Sequence, residues 1–167
     1  DRSIIPYKKY YSLLAKRTPV TTIMSSRGCP FKCLFCERPH LGKRFRSRSS
    51  ASVVNEIEEA VRLGIKEFFF YDDTFTIDKK RVHEICDEIL NRGLDIGWDI
   101  RARIDTVDKE MLEKLKRSGC ERIHYGVESG TEKILNVLRK GIDLKKVEEI
   151  FKITKDIGIT TLAYFMI

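Results

Sequence analysis

The chain has 167 residues and a formal net charge of +7, with 42% hydrophobic and 34% charged residues, as expected for a soluble globular domain with its own core. No segment approaches the ~20 apolar residues of a membrane span, and the N-terminus lacks the layout of a signal peptide. Five cysteines are an odd number and three are crowded together, which argues against a disulfide framework and for a reducing, cytoplasmic location.

Strand-like and helical patterns alternate along most of the chain. Residues 1–19 show no sustained period and are predicted to be a linker or a packed N-terminal arm. Strands are predicted at about residues 20–26, 67–72, 95–102, 122–128 and 160–167. This βα order predicts an α/β fold with a parallel sheet. The almost continuously apolar runs at 67–71 and 162–167 predict strands that are buried on both faces.

Amphipathic helices are predicted between these strands, because apolar stripes at helical spacing end at glycines. Those glycines are Gly64, Gly93, Gly119 and Gly158. Two helices are expected in the last connection. Ser129 and Glu132 have the spacing of a capping box that would begin a short helix, and Asp143 is the expected N-cap of a longer one.

Three cysteines, Cys29, Cys33 and Cys36, follow the first strand with C-x3-C-x2-C spacing. Four cysteines normally hold a cubane iron–sulfur cluster, so three close in sequence predict a cluster with one iron left open to a small molecule. Two alternatives stay open. The spacing also fits a buried stripe on one helix face, and His40 could complete a Cys3His zinc site.

Basic residues without an intervening acid follow the cysteines. They are Arg38, Lys43, Arg44, Arg46 and Arg48. Such a patch could hold an anionic substrate, an RNA or a redox partner, whereas the simpler interpretation is a solvated basic loop. The remaining cysteines, Cys86 and Cys120, lie in apolar patterns and are predicted to be core residues.

Charged and polar residues recur where the predicted strands end. They are Asp72 and Asp73, Arg101 and Arg103, and Glu128 and Ser129. Because the carboxyl ends of parallel strands share one edge, we expect these residues to face one mouth. Carboxylates accept hydrogen bonds from amino groups or ribose hydroxyls, and an arginine fork pairs with a carboxylate. Turn capping by Asp73 and a surface ion pair of either arginine are the simpler alternatives.

These motifs together resemble the radical S-adenosylmethionine superfamily, in particular the branch that is often fused to an N-terminal cobalamin-binding domain. The resemblance is carried by residues 26–30 (SRGCP), 71–75 (YDDTF), 126–130 (GVESG) and 139–142 (RKGI). It covers residues 20–167 and implies a partial (β/α) barrel. Because such barrels have six βα units and this chain stops inside its fifth strand, we expect a truncated core of a longer enzyme.

The resemblance also implies cofactors and contacts. It implies a 4Fe-4S cluster on Cys29, Cys33 and Cys36, with S-adenosylmethionine on the open iron and cobalamin in a longer parent protein. The implied contacts of the methionine part are Asp72 and Asp73 with the amino group and Arg101 with the carboxylate. Glu128 and Ser129 are implied to lie near the ribose and methionine. The aromatic Phe35, beside the third cysteine, is also implied to contact S-adenosylmethionine.

The expected reaction is reductive cleavage of S-adenosylmethionine to a deoxyadenosyl radical, which then takes a hydrogen atom from a small-molecule or RNA substrate. The expected partner is an electron donor such as flavodoxin or ferredoxin, with no membrane partner. Three other hypotheses stay open: a zinc-stabilised nucleic-acid-binding module, a non-catalytic electron-transfer module, and an inactive fragment that self-associates through an exposed last strand at residues 160–167.

Overall fold

The computed structural model describes residues 2–36 and 42–167, and within them a five-stranded parallel sheet forms the centre of the fold. The strands are β1 Val20–Ile23, β2 Ser26–Arg27, β3 Arg46–Ser47, β4 Glu67–Phe70, β5 Gly97–Ala102, β6 Cys120–Glu128 and β7 Thr160–Phe165. The sheet order is β1-β4-β5-β6-β7, and every neighbouring pair is parallel. Short β2 and β3 form a separate antiparallel pair. The predicted parallel α/β architecture is therefore confirmed.

Five α-helices occupy the connections within the described residues. They are α1 Ser50–Arg62, α2 Lys79–Asn91, α3 Lys109–Arg117, α4 Glu132–Val137 and α5 Leu144–Asp156. Four of them begin at a side chain that accepts a hydrogen bond from the backbone N–H three residues later; the caps are Ser49, Asp78, Asp108 and Asp143. This local contact satisfies a backbone donor that the first helical turn leaves unpaired.

The predicted capping box before α4 is wrong. The N-cap of α4 is Thr131, and its side chain makes no capping hydrogen bond. Ser129 Oγ accepts from the Thr131 backbone N–H at 3.2 Å, and Glu132 Oε1 accepts from Leu144 N at 2.7 Å. The carboxylate that a capping box would use is instead taken by the start of α5.

The helices cover one face of the sheet. Phe68, Phe70 and Trp98 are fully buried on this face, where Phe70 packs on Trp98 with ring centroids 5.3 Å apart. On the opposite face Glu67, Asp99 and Arg122 are also buried, at 1%, 6% and 5% exposure, whereas Tyr71 is exposed. The prediction of burial on both faces therefore holds for most of β4, where Phe69 is half-buried. It is wrong for β7, most of which is exposed.

Residues 2–19 pack against the sheet and α1 rather than extending away from them. Arg2 Nε donates to Thr21 Oγ1 at 2.9 Å, and the Tyr7 hydroxyl donates to the Leu63 carbonyl at 3.2 Å. Arg17 pairs with Glu121 at 2.8 Å, and this hydrogen bond is the largest cause of a pKa of Arg17 above its usual value. These contacts are those of a packed arm, and the domain boundary at residue 20 stays a prediction.

Across residues 2–36 and 42–167, the structure contains no helix with the length and apolar character that spanning a membrane requires.

Candidate functional site

A cavity of about 360 Å³ lies at the carboxyl ends of β4, β5 and β6. Seven of the nine predicted site residues line it: Cys29, Cys33, Cys36, Phe35, Asp73, Arg101 and Glu128. The two that do not line it are Asp72 and Ser129. The parallel topology has thus brought loops that are up to about a hundred residues apart in sequence to one mouth, as the strand-end argument predicts.

The cysteine loop is held by backbone hydrogen bonds to two other segments. Cys29 N donates to the Gly42 carbonyl at 3.3 Å, and Leu34 N donates to the Leu138 carbonyl at 2.9 Å. Residues 29–36 form turns rather than a helix, and Cys36 is exposed while Cys33 is buried. The alternative of a buried helical cysteine stripe is therefore wrong.

The thiols of Cys29, Cys33 and Cys36 open into the same cavity. In the described part of the chain, no three His, Cys, Asp or Glu side chains are close enough to hold one metal ion together. Thiolates on zinc all lie about 2.3 Å from the same ion, whereas in a cubane each cysteine binds a different iron. The C-x3-C-x2-C motif, rather than the distances between its thiols, carries the prediction of a cluster. His40 and Arg38 lie outside the described residues.

The other two cysteines belong to the core, as predicted. Cys86 and Cys120 are fully buried under the helices. Burial raises the pKa of the Cys86 thiol to about 11 and also raises the pKa of Cys120 well above its usual value. Both thiols are therefore protonated near neutral pH and inert as metal ligands.

Glycine is required at position 28, before the first cysteine. Gly28 has φ of +84°, and a Cβ at this position would lie 2.3 Å from the Arg44 carbonyl oxygen. Gly28 N donates to Asp73 Oδ2 at 3.0 Å. The hydrogen bond from Gly28 N to Asp73 therefore connects the cysteine loop to the loop that follows β4.

The adjacent carboxylates Asp72 and Asp73 have different environments. Asp72 is 0% exposed, and its carboxylate accepts hydrogen bonds of 2.5–2.7 Å from Ser25 N, Ser25 Oγ and Ser26 Oγ. The buried Arg81 guanidinium lies 4.0 Å away. Asp73 is exposed and lines the cavity. Asp72 therefore lies outside the cavity lining, and its carboxylate already accepts three hydrogen bonds inside the protein. Its contact with the methionine amino group stays a prediction.

The two arginines that follow β5 also differ. Arg101 lies 4.4 Å above the Tyr71 ring centroid and lines the cavity. Arg103 is 5% exposed, and both of its guanidinium edges are used in contacts within the protein. Burial lowers the pKa of Arg103, but the hydrogen bonds and charges of Asp105 and Cys33 together outweigh burial and raise this pKa.

A buried ion pair forms one wall of the cavity. Lys140 Nζ donates to Glu128 Oε1 at 2.8 Å, and the two residues are 6% and 8% exposed. Glu128 has φ of +73° at the point where the register between β6 and β7 shifts. Lys140 also lies 5.6 Å from the Phe35 ring centroid. Sequence reasoning did not select Lys140 as a site residue, although it stands in the 139–142 motif.

Gly126 leaves the space that this ion pair occupies. A Cβ on Gly126 would lie 2.6 Å from Glu128 Oε1 and 2.8 Å from Lys140 Nζ. We expect Gly126→Ala to displace the pair and lower the free energy of unfolding by about 1–3 kcal/mol in urea denaturation. Gly130→Ala is the matched control, because a Cβ there meets no atom within 4 Å. Its expected effect is within about 0.5 kcal/mol, and equal losses in both variants would contradict the prediction.

His124 and Tyr164 are two further cavity residues that were not predicted. Nδ1 of His124 lies 2.8 Å from the Tyr164 hydroxyl, and Nε2 lies 3.3 Å from Asp99 Oδ2. Both residues also line a second cavity of about 990 Å³ along the open face of the sheet. A signal was present in the sequence, because polar residues at alternate positions of an apolar strand indicate the face that helices do not cover.

Comparison with known proteins assigns the chain to a family. A family model described as the radical SAM superfamily matches residues 23–167. The chain is 37% identical over 166 residues to an uncharacterized methyltransferase of Pyrococcus horikoshii, covering 98% of this chain and 36% of that protein. It is 32% identical over 173 residues to an anaerobic magnesium-protoporphyrin IX monomethyl ester cyclase of Cereibacter sphaeroides, covering 100% of this chain and 28% of that protein.

Solved structures show the same fold. The cobalamin-dependent S-adenosylmethionine radical enzyme OxsB, solved with aqua-cobalamin and S-adenosylmethionine bound, aligns with a TM-score of 0.80 and 27% identity over 87% of this chain and 23% of its own. The radical S-adenosylmethionine methyltransferase TsrM from Kitasatospora setae aligns with a TM-score of 0.79 and 22% identity, over 87% of this chain and 30% of its own. The chain thus spans about a third or less of these proteins. The motifs, the partial barrel and the family match agree, and the chain belongs to the radical SAM superfamily.

Proposed function

We propose that this chain is the cluster-binding core of an enzyme that cleaves S-adenosylmethionine reductively and generates a deoxyadenosyl radical. The observation that carries the proposal is that Cys29, Cys33 and Cys36 line the same cavity as Asp73, Arg101 and Glu128. When bound, a reduced 4Fe-4S cluster would supply one electron to the sulfonium of S-adenosylmethionine, so that methionine leaves as the deoxyadenosyl radical forms. The protein contributes the ligands, the orientation of the bound molecule and the exclusion of water.

The cavity residues divide into ligands and orienting groups. Cys29, Cys33 and Cys36 would hold three irons and leave the fourth open. Asp73 is placed to accept from an ammonium, and Arg101 to pair with a carboxylate through its donor fork. Glu128 would face the ribose or methionine while Lys140 compensates its buried charge, since an unpaired buried carboxylate is costly. We assign Asp72 and Ser129 to supporting positions, because neither lines the cavity.

Cobalamin is proposed as a second cofactor of the longer protein to which this core would belong. The OxsB structure contains aqua-cobalamin, and the Pyrococcus relative is described as a methyltransferase. Relatives described as a methyltransferase and as a cyclase share this core. We therefore infer that the core supplies the common radical step, while regions outside it decide the substrate and the outcome.

The proposed electron donor is an acidic one-electron carrier such as flavodoxin or ferredoxin in a reducing, cytoplasmic compartment. Exposed Lys43 and Arg44 lie in the segment whose backbone contacts Gly28 and Cys29, so a positive surface adjoins the cysteine loop.

We also propose that the 167-residue chain alone self-associates through the sheet-edge strand β7, where Phe165 is exposed. Light scattering that shows a monomer at all concentrations would contradict self-association.

The test is anaerobic reconstitution followed by iron, sulfide and zinc analysis and by electron paramagnetic resonance with and without S-adenosylmethionine. We expect roughly four irons and four sulfides per chain, and a reduced-cluster signal that shifts when S-adenosylmethionine is added. The Asp73→Ala variant serves as a site control that should keep the cluster and weaken the shift. Stoichiometric zinc without sulfide, or a cluster signal indifferent to S-adenosylmethionine, would overturn the proposal.

A further inference from the structure

Arg103 connects the cysteine loop to two other walls of the cavity. Its Nη1 donates to Cys33 Sγ at 3.3 Å, and its guanidinium carbon lies 3.9 Å from the Phe31 ring centroid. On the other edge, Nη2 donates to the Lys140 carbonyl at 2.6 Å and to Asp105 at 2.8 Å. Arg103 thus makes a charge-assisted hydrogen bond to the sulfur of a candidate cluster ligand.

Cys33 differs from Cys29 in what its sulfur contacts. Cys33 is 6% exposed and its sulfur accepts from a guanidinium, whereas the Cys29 sulfur lies 3.9 Å from the Thr74 hydroxyl. A cation that is buried beside a thiolate is poorly screened by water and salt. The charge of Arg103 therefore acts on the Cys33 sulfur with little screening.

We propose that Arg103 is a positioning residue that raises the reduction potential of the cluster through the N–H···S bond to Cys33; this inference rests on the proposed function. One-electron reduction adds negative charge that spreads onto the ligand sulfurs. A fixed positive donor stabilises the reduced form more than the oxidised form. Hydrogen bonds to the sulfurs and solvent exposure are recognised determinants of iron–sulfur potentials, and both act at Cys33.

The alternative role for Arg103 is mechanical, because the same side chain ties the turn at Lys140 and the loop at Phe31 to β5. A purely mechanical role predicts that loss of Arg103 lowers cluster content or stability without changing the potential of the clusters that do form. The reduction potential of the clusters that do form therefore distinguishes the electrostatic role from the mechanical one.

The experiment is redox titration with dithionite of reconstituted wild-type chain and Arg103→Met, without S-adenosylmethionine, monitored by electron paramagnetic resonance. We expect an approximately tenfold loss in the equilibrium constant for reduction, which for one electron is about 59 mV toward more negative potential. Arg103→Lys keeps the charge but not the planar fork, and its potential should fall between the two.

Arg101→Met is the charge-matched control, since Arg101 lines the same cavity and contacts Tyr71. A smaller shift in Arg101→Met than in Arg103→Met supports the N–H···S bond. An unchanged potential in Arg103→Met, or equal shifts in both variants, would overturn the inference. Iron and sulfide analysis distinguishes this failure from failure of the proposed function: a wild-type chain that takes up no cluster refutes the latter directly.

Discussion

Replacing Cys33 with alanine is expected to abolish assembly of a stable 4Fe-4S cluster, which is the largest effect that we predict on function. Cys33 is the buried member of the three cavity cysteines. Loss of an outer-shell partner alone typically costs about 10–100-fold in metal affinity, so loss of a direct ligand should cost more than about 100-fold. The measurement is iron and sulfide per chain after anaerobic reconstitution, together with the visible absorption of the cluster.

Cys86→Ala is the matched control for this prediction. It also removes a buried thiol, but Cys86 lies in the core and its pKa of about 11 keeps it protonated. We expect Cys86→Ala to keep wild-type iron and sulfide content. Circular dichroism of Cys33→Ala should show the wild-type secondary structure, so that loss of cluster is not loss of fold. A Cys33→Ala protein with full cluster and a response to S-adenosylmethionine would refute the ligand assignment.

Replacing Asp72 with alanine is expected to lower the free energy of unfolding by about 3–5 kcal/mol, the typical cost of removing one partner of a buried charge pair. The substitution leaves three donors on Ser25 and Ser26 without their acceptor, and it leaves Arg81 without its counter-ion at 4.0 Å. Urea denaturation of the chain without cluster measures this difference. Asp72→Asn should cost less, because the amide oxygen still accepts from Ser25 N.

Asp73→Ala provides the contrast, since the two carboxylates are adjacent in sequence. Asp73 is exposed and accepts one backbone hydrogen bond, from Gly28, so its loss should cost only about 0.5–1.5 kcal/mol. In binding experiments with S-adenosylmethionine the order should reverse, with the larger defect per folded molecule in Asp73→Ala. An Asp72→Ala chain with wild-type stability and weak binding would show that Asp72 is the ligand contact instead.

Local features of the chain could be predicted well because they depend on neighbours in sequence. The cap Asp143 accepts from a backbone N–H three residues away, and it begins the helix that the sequence predicts. The failure at Ser129 and Glu132 has a non-local cause. The Glu132 carboxylate accepts a hydrogen bond from Leu144 N at the start of α5, twelve residues later. A local sequence pattern does not include this donor.

The candidate site shows the same division. The C-x3-C-x2-C spacing is local, and the convergence of strand ends follows from parallel order alone. The sequence could not predict which of the two neighbouring carboxylates faces the cavity. Asp72 accepts hydrogen bonds from Ser25 and Ser26, which lie more than 40 residues earlier in the chain. Arg103 likewise finds its sulfur partner across 70 residues.

By itself, the sequence determined the α/β class, the start of α5 at Asp143, the three-thiol motif and the strand ends that meet at one edge of the sheet. Each of these depends on hydrophobic periodicity or on hydrogen bonds between residues a few positions apart. The tertiary structure alone decided that Asp72 is internal, that Lys140 compensates Glu128, and that Arg103 rather than Arg101 contacts Cys33. The physical reason is that a buried charge must find its partner in three dimensions, and strand order and loop packing decide which group is within reach.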